Sequence, residues 1–200
     1  TLHRDTGLDA LCMAGGVALN CAMNGRLLRE GPFERIFVQP AAGDDGISIG
    51  AAFQLHHRFT GAPRAFEMRN AYLGPAYTNE TIRRFLEMAK LRYEKPANVV
   101  ERTADLLAQG KIVGWFQGRM EFGPRALGAR SILADPTRAG MKESLNTFVK
   151  HREDFRPFAP AVLEDRAAEF FPGCARSPFM LFVHPVASDQ RGRIPAVTHI

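Results

Sequence analysis

The sequence predicts an α/β protein built from two consecutive domains. Strand-like and helical spacing alternate over the first 60 residues. An aperiodic stretch holding Gly61, Pro63, Gly74 and Pro75 then interrupts the pattern, and a second set of helices and strands follows it. With 200 residues and 46% hydrophobic content the chain has the material for a core. The break divides it into domains at residues 1–68 and 69–200.

In LDALCMAGGVALNCAMNGRLLREG, Leu8, Leu11 and Met13 lead a strand into Gly15-Gly16. From Val17 the spacing turns helical through Leu19, Met23, Leu27 and Leu28, and it closes at Gly31-Pro32. ERIFVQP is a second short strand ended by Pro40. AAGDDGISIGAAFQLHHRF reads as a loop feeding a helix with Ile47, Ile49, Ala52 and Phe53 on one face. Beyond the linker, Thr78-Asn79 caps a helix running to Ala89. ANVVERTADLLAQG is another helix, ended by Gly110. KIVGWFQG reads as a buried strand ending at Gly118, and RSILADP as a further strand. RAGMKESLNTFVKH is helical, while RPFAPAVL and SPFMLFVHPV are strand-like.

The net charge of +5 and pI near 9.4 are moderate and fit an enzyme with anionic substrates as well as a weak nucleic-acid binder. No lysine or arginine run favours nucleic acid. The basic residues gather instead between Arg119 and Arg156 (Arg119, Arg125, Arg130, Arg138, Lys142, Lys150, Arg152, Arg156). Cys12, Cys21 and Cys174 lack CxxC spacing, which points to reduced thiols rather than a disulfide or zinc framework. With no signal peptide and no apolar run that would span a bilayer, the expectation is a cytoplasmic protein without a membrane partner. Self-association is left open. The chain begins at Thr1 and is expected to be a piece of a longer protein.

Three motifs carry chemistry. Gly15-Gly16, between a strand and a helix, lets backbone N–H groups face a phosphate or nucleotide, or simply makes a tight β–α turn. Asp44 and Asp45, between glycines ahead of a helix, suit a divalent cation or a helix cap. In GRMEFGPRALGARSILADP, arginines alternate with glycines, and Lys150, Arg152 and Arg156 follow in KHREDFRPFAP. Planar guanidinium forks framed by glycine suit phosphates approached closely by the backbone, while pairing with Glu121, Asp135, Glu153 and Asp154 claims part of the set. His56-His57 reads as surface or packing, and Cys174 lacks a neighbouring base. No Walker-type GxxxxGK[ST] is present.

Together, MAGGVALNCAMNGRLL, VQPAAGDDGISIGAA, GWFQGRMEFGPRALGARSILADP, KHREDFRPFAPAVL and SPFMLFV resemble the ATP-dependent O-carbamoyltransferases of nodulation-factor and antibiotic tailoring, over nearly all 200 residues. The resemblance implies the end of an actin-like ATPase-fold domain, similar to the tRNA threonylcarbamoyl-transferring enzymes, followed by a YrdC-like domain. The YrdC-like part would form carbamoyl-adenylate from carbamoyl phosphate and ATP, and the first domain would pass the carbamoyl group to a hydroxyl of an antibiotic- or glycan-type acceptor.

By the same resemblance Arg125, Lys150 and Arg156 would hold carbamoyl phosphate and the ATP phosphates, with Arg119, Arg130 and Arg152 beside them. Gly15, Gly16 and Asn20 would line the adenylate site. Asp44 or Asp45 would ligate a metal, iron or similar, with magnesium accompanying ATP. The remaining metal ligands, histidines, would lie upstream of Thr1 and more of the YrdC-like site beyond Ile200, so the piece alone is not expected to turn over. The competing readings are a nucleotide-binding regulatory module, and a carbamoyl-adenylate enzyme of tRNA modification or hydrogenase maturation.

Overall fold

The computed structural model describes residues 1–174 and 176–199. They form a mixed α/β chain that divides into two compact units. The first comprises residues 1–73, 121–127 and 177–184, and the second residues 74–120, 128–176 and 185–200. The seven residues Glu121–Leu127, taken from the middle of the arginine–glycine block, thus fold with the first unit. No helix among the described residues is long and apolar enough to cross a membrane.

In the first unit, α1 (Leu2–Thr6) precedes β1 (Ala10–Met13), and α2 (Cys21–Glu30) leads to β2 (Arg35–Val38). The two strands pair in parallel with Ala10 opposite Arg35 and Met13 opposite Val38. A parallel pair needs a crossover, and α2 supplies it. The helix does not start at Val17. Gly16–Leu19 forms one 3-10 turn, and α2 begins only after Asn20, whose side chain accepts the Met23 N–H at 3.0 Å. An asparagine cap fixes the boundary more strongly than apolar spacing does. After β2, Asp44–Gly46 makes a second 3-10 turn and α3 (Ile47–Thr60) follows.

Ala18, Val38, Ala42 and Leu181 are buried together, with Met13, Leu19, Ile36, Phe179 and Phe182 around them. Leu181 and both phenylalanines come from SPFMLFVHPV, which turns at Pro178–Phe179, bends at Met180 (φ 54°) and joins no strand pair. Its carbonyls are taken by side chains instead. Asn24 Nδ2 donates to the Leu181 oxygen at 3.0 Å and Arg29 Nη1 to the Val183 oxygen at 2.9 Å. Burial of apolar residues drew this segment in, and side-chain donors met the backbone need that a sheet ladder would otherwise meet.

In the second unit, α4 (Asn79–Met88) and α5 (Val99–Ala108) are capped by Thr78 and Asn98, which accept from Thr81 and Glu101 N–H groups at 3.1 Å each. β3 (Val113–Phe116) and β4 (Arg130–Leu133) pair antiparallel, Phe116 opposite Arg130. β3 is not the fully buried strand expected. Val113 and Trp115 are half-buried, and Gly114 and Phe116 face out, as suits a two-stranded sheet. The segment 138–151 is helical in two parts, α6 (Met141–Ser144) and a π-helix at Leu145–Lys150. Met141, Leu145 and Ala196 form its core, flanked by Ala134 and Phe158. RPFAPAVL makes no strand, because Pro157 and Pro160 each remove a ladder donor.

Candidate functional site

The Gly15-Gly16 turn is shaped by its backbone. Gly15 has φ 98°, a conformation that glycine adopts without a Cβ clash, and its N–H donates to the Ala42 carbonyl at 2.7 Å. The Ala18 N–H returns to the Gly15 oxygen at 2.9 Å, closing the 3-10 turn. Gly15, Gly16 and Asn20 are all exposed at the mouth of α2, so the turn is open to a ligand while its rear is fixed. Behind it Asn24, with no exposed surface, donates through Nδ2 to the Ala18 oxygen at 2.8 Å as well as to Leu181; its Oδ1 is buried without a partner.

Arg125 arrives at the same turn from residues 121–127. Its Nη2 donates to the Leu19 carbonyl at 3.0 Å, and its Nε is buried without a partner. The loop that carries it is tightly held. Glu121 is 5% exposed and accepts the Leu127 N–H at 2.6 Å, the Tyr72 hydroxyl donates to the Leu127 oxygen at 2.6 Å, and the Phe122 N–H reaches the Ala71 oxygen at 2.7 Å. Gly123 sits at φ 116°, where a Cβ would meet the Pro40 oxygen at 3.1 Å.

Asp44 and Asp45 lie in the 3-10 turn before α3, both exposed. Neither caps a helix. Gly43 and Gly46 occupy the cap positions and no side-chain cap bond forms, so capping does not explain the pair. Their oxygens suit a hard cation, yet among the described residues no group of three or more His, Cys, Asp or Glu side chains converges on a metal position. The pair by itself does not make a metal centre.

The second unit holds Arg119, Arg130, Lys150, Arg152 and Arg156. Arg119, exposed after β3, donates from Nε to the Gly74 oxygen at 3.1 Å, and Arg130 is the first residue of β4. Lys150 ends the π-helix, and His151 turns the chain at φ 48°, a left-handed conformation uncommon for a residue with a Cβ. His151, Arg152, Glu153 and Arg156 line an open cavity of about 520 Å³. Burial and then the neighbouring charge of Arg156 lower the Arg152 pKa from its ordinary value. Arg156 pairs with Glu153 at 2.9 Å, but both side chains are about half exposed, and solvent screening leaves a surface pair of this kind weak. An incoming polyanion can displace it.

The structure thus brings Gly15, Gly16, Asn20 and Arg125 together in one unit and Lys150, Arg152 and Arg156 in the other. Sequence reasoning missed Asn24, Asn146 and Tyr72, which touch these motifs from behind, and it read Glu121 as an ion-pair partner rather than as the acceptor of the Leu127 N–H. No local signal marks Asn24 or Asn146, because their lack of exposed surface is set by the fold.

The family model described as Carbamoyltransferase N-terminus matches residues 1–53, and Carbamoyltransferase C-terminus matches residues 104–200. An uncharacterized protein of Synechocystis is 43% identical over 228 residues, covering 100% of this chain and 37% of that protein. The nodulation protein NolNO of Sinorhizobium fredii is 46% identical, covering 98% of the chain and 30% of its own length. The nodulation protein NolO of Bradyrhizobium diazoefficiens is 45% identical, with 99% and 37% covered. The chain spans about a third of the length of these relatives. Both family models fall in chain order on the two motif-bearing regions, and the chain belongs to the carbamoyltransferase family.

Proposed function

We propose that the chain is part of an ATP-dependent O-carbamoyltransferase, its first unit derived from an actin-like ATPase-fold domain and its second from a YrdC-like domain. The observation that carries the reading is the coincidence of carbamoyltransferase sequence with an open cationic cavity at residues 151–156. Lys150 and Arg156 would take the phosphate of carbamoyl phosphate and the phosphates of ATP, with Arg152 fixed behind them and Arg119 and Arg130 as secondary cations. Fixed positive charge offsets the repulsion between two anions that must meet.

In this scheme water releases phosphate from carbamoyl phosphate, leaving carbamate. A carbamate oxygen attacks the α-phosphorus of ATP, and pyrophosphate departs with the bonding electrons. An acceptor hydroxyl then attacks the carbamoyl carbon, AMP leaves, and the hydroxyl proton passes to solvent or a base. Gly15, Gly16 and Asn20 would present the open end of α2 to the adenylate phosphate, where helix N–H groups favour negative charge. Arg125 would brace that turn through Leu19. Magnesium would accompany ATP. Asp44 and Asp45 would supply at most part of a ligand set, and no step is assigned to a metal. A hydroxyl of an antibiotic- or glycan-type molecule would be the acceptor, as the resemblance to the tailoring enzymes implies.

The test is carbamoyl-phosphate-dependent ATP–pyrophosphate exchange in the longest natural polypeptide containing this chain. Exchange that falls about 10- to 150-fold in Lys150→Ala and Arg156→Ala supports the reading, since a lost charged contact to phosphate is worth about 1.5–3 kcal/mol and these act in the transition state. A folded, ATP-binding protein without exchange leaves a nucleotide-binding regulatory module in its place.

A further inference from the structure

The cations of the 150–156 loop lie on backbone with little regular structure of its own. Residues 151–156 contain no helix or strand, and Lys150, His151 and Arg156 are exposed. The segment carries Lys150, Arg152 and Arg156 against Glu153 and Asp154, and its Arg156–Glu153 pair is half exposed, so it needs an anchor that also leaves its cations free for a ligand. Asn146 meets both conditions. Its side chain has no exposed surface, and Nδ2 donates to the carbonyls of Asp154 at 3.3 Å and Arg156 at 3.1 Å. Its Oδ1 accepts from Arg152 Nε at 2.8 Å, and its backbone oxygen accepts the Arg152 N–H at 3.0 Å.

A primary amide carries two N–H donors and one carbonyl acceptor, the set these three side-chain contacts require. A carboxylate would hold Arg152 but offer no donor to the two carbonyls, and it would neutralise part of the loop's charge. The residue is itself anchored. It sits in the π-helix Leu145–Lys150, whose Leu145 joins the core with Met141 and Ala196. Single-turn π segments recur at functional sites, where they redirect side chains from the regular helical path. Arg152 is further pinned above the Phe158 ring, 4.7 Å from its centre.

We infer that Asn146 is a positioning residue for substrate phosphate: its amide spans the loop from Arg152 to Arg156 and presents Lys150 and Arg156 in the geometry that binds the anion. The inference rests on the proposed reading of this loop as the carbamoyl-phosphate site.

The test uses the longest natural polypeptide containing the chain, with Asn146→Ala, Asn146→Asp, Lys150→Ala and the Asn146→Ala/Lys150→Ala pair, assayed by exchange and by thermal melting. Asn146→Ala is expected to raise KM for carbamoyl phosphate about 10- to 100-fold, the value of one or two charge-assisted hydrogen bonds. The paired variant is expected to be little worse than Lys150→Ala alone, because a misplaced lysine and a missing one fail alike. Asn146→Asp keeps the shape and the Arg152 contact but loses both donors, so it should show the same KM rise; it decides the question if Asn146→Ala does not fold. Folded variants with unchanged KM, or losses that add fully to that of Lys150→Ala, overturn the inference even if the melting temperature drops. Absence of exchange in the wild type overturns the reading of the site beneath it.

Discussion

Replacing Asn24 by alanine tests whether the Gly15–Asn20 turn is held from behind by one buried amide. Asn24 has no exposed surface, and its two N–H donors go to the Ala18 and Leu181 carbonyls at 2.8 and 3.0 Å. Alanine leaves both oxygens buried without a donor, each loss costing about 1–1.5 kcal/mol net, and opens a void the size of an amide group. The sum is about 2–4 kcal/mol. The effect is local, so the assay is amide hydrogen exchange followed by mass spectrometry over residues 15–24 and 177–184. Protection in both peptides should fall by about 30- to 1000-fold, in parallel, with residues 141–150 unchanged. Protection within threefold of wild type, or a fall in only one peptide, refutes the idea that a single amide ties the turn to the 177–184 segment.

Three further outcomes follow from the same geometry. Gly123→Ala forces a side chain onto φ 116° with the Pro40 oxygen 3.1 Å away, so it should cost about 1–3 kcal/mol of local stability; a neutral effect by hydrogen exchange over residues 121–127 would contradict the described loop. His184 is held below its ordinary pKa of 6.5 by burial and then by Arg29, so the unfolded chain binds the proton more readily. Stability should therefore be present above about pH 6.5 and decline as pH falls below it, and His184→Gln should flatten that decline in denaturant melts across pH 5–8. The Cys174 thiol is 7% exposed and burial raises its pKa, whereas Cys12 is exposed, so alkylation near neutral pH should modify Cys12 well before Cys174.

The parts legible in the sequence are those in which local chemistry decides. Thr78 announces α4 and the Gly15-Gly16 pair announces the turn after β1, because capping and positive φ are properties of a few adjacent residues. The strand reading failed at RPFAPAVL, where proline removes donors. It failed again at SPFMLFVHPV, where the pull of Leu181 into a core outweighs pairing. The allocation of Arg125 was not legible either. Arg119 and Arg130 belong to one compact unit while Glu121–Leu127 between them joins the other, and no local period records which core a loop will enter. The asparagines behind the motifs were invisible for a related reason. Asn24 and Asn146 look like any polar residue until the fold withdraws them from water and supplies their carbonyl partners.

The central claim concerns which bond of ATP is broken. The longest natural polypeptide containing this chain, incubated with ATP labelled at the α-phosphorus and with carbamoyl phosphate but no acceptor, should yield labelled carbamoyl-adenylate and AMP with pyrophosphate, and only when carbamoyl phosphate is present. Formation of labelled ADP instead, or AMP release that ignores carbamoyl phosphate, would contradict the account.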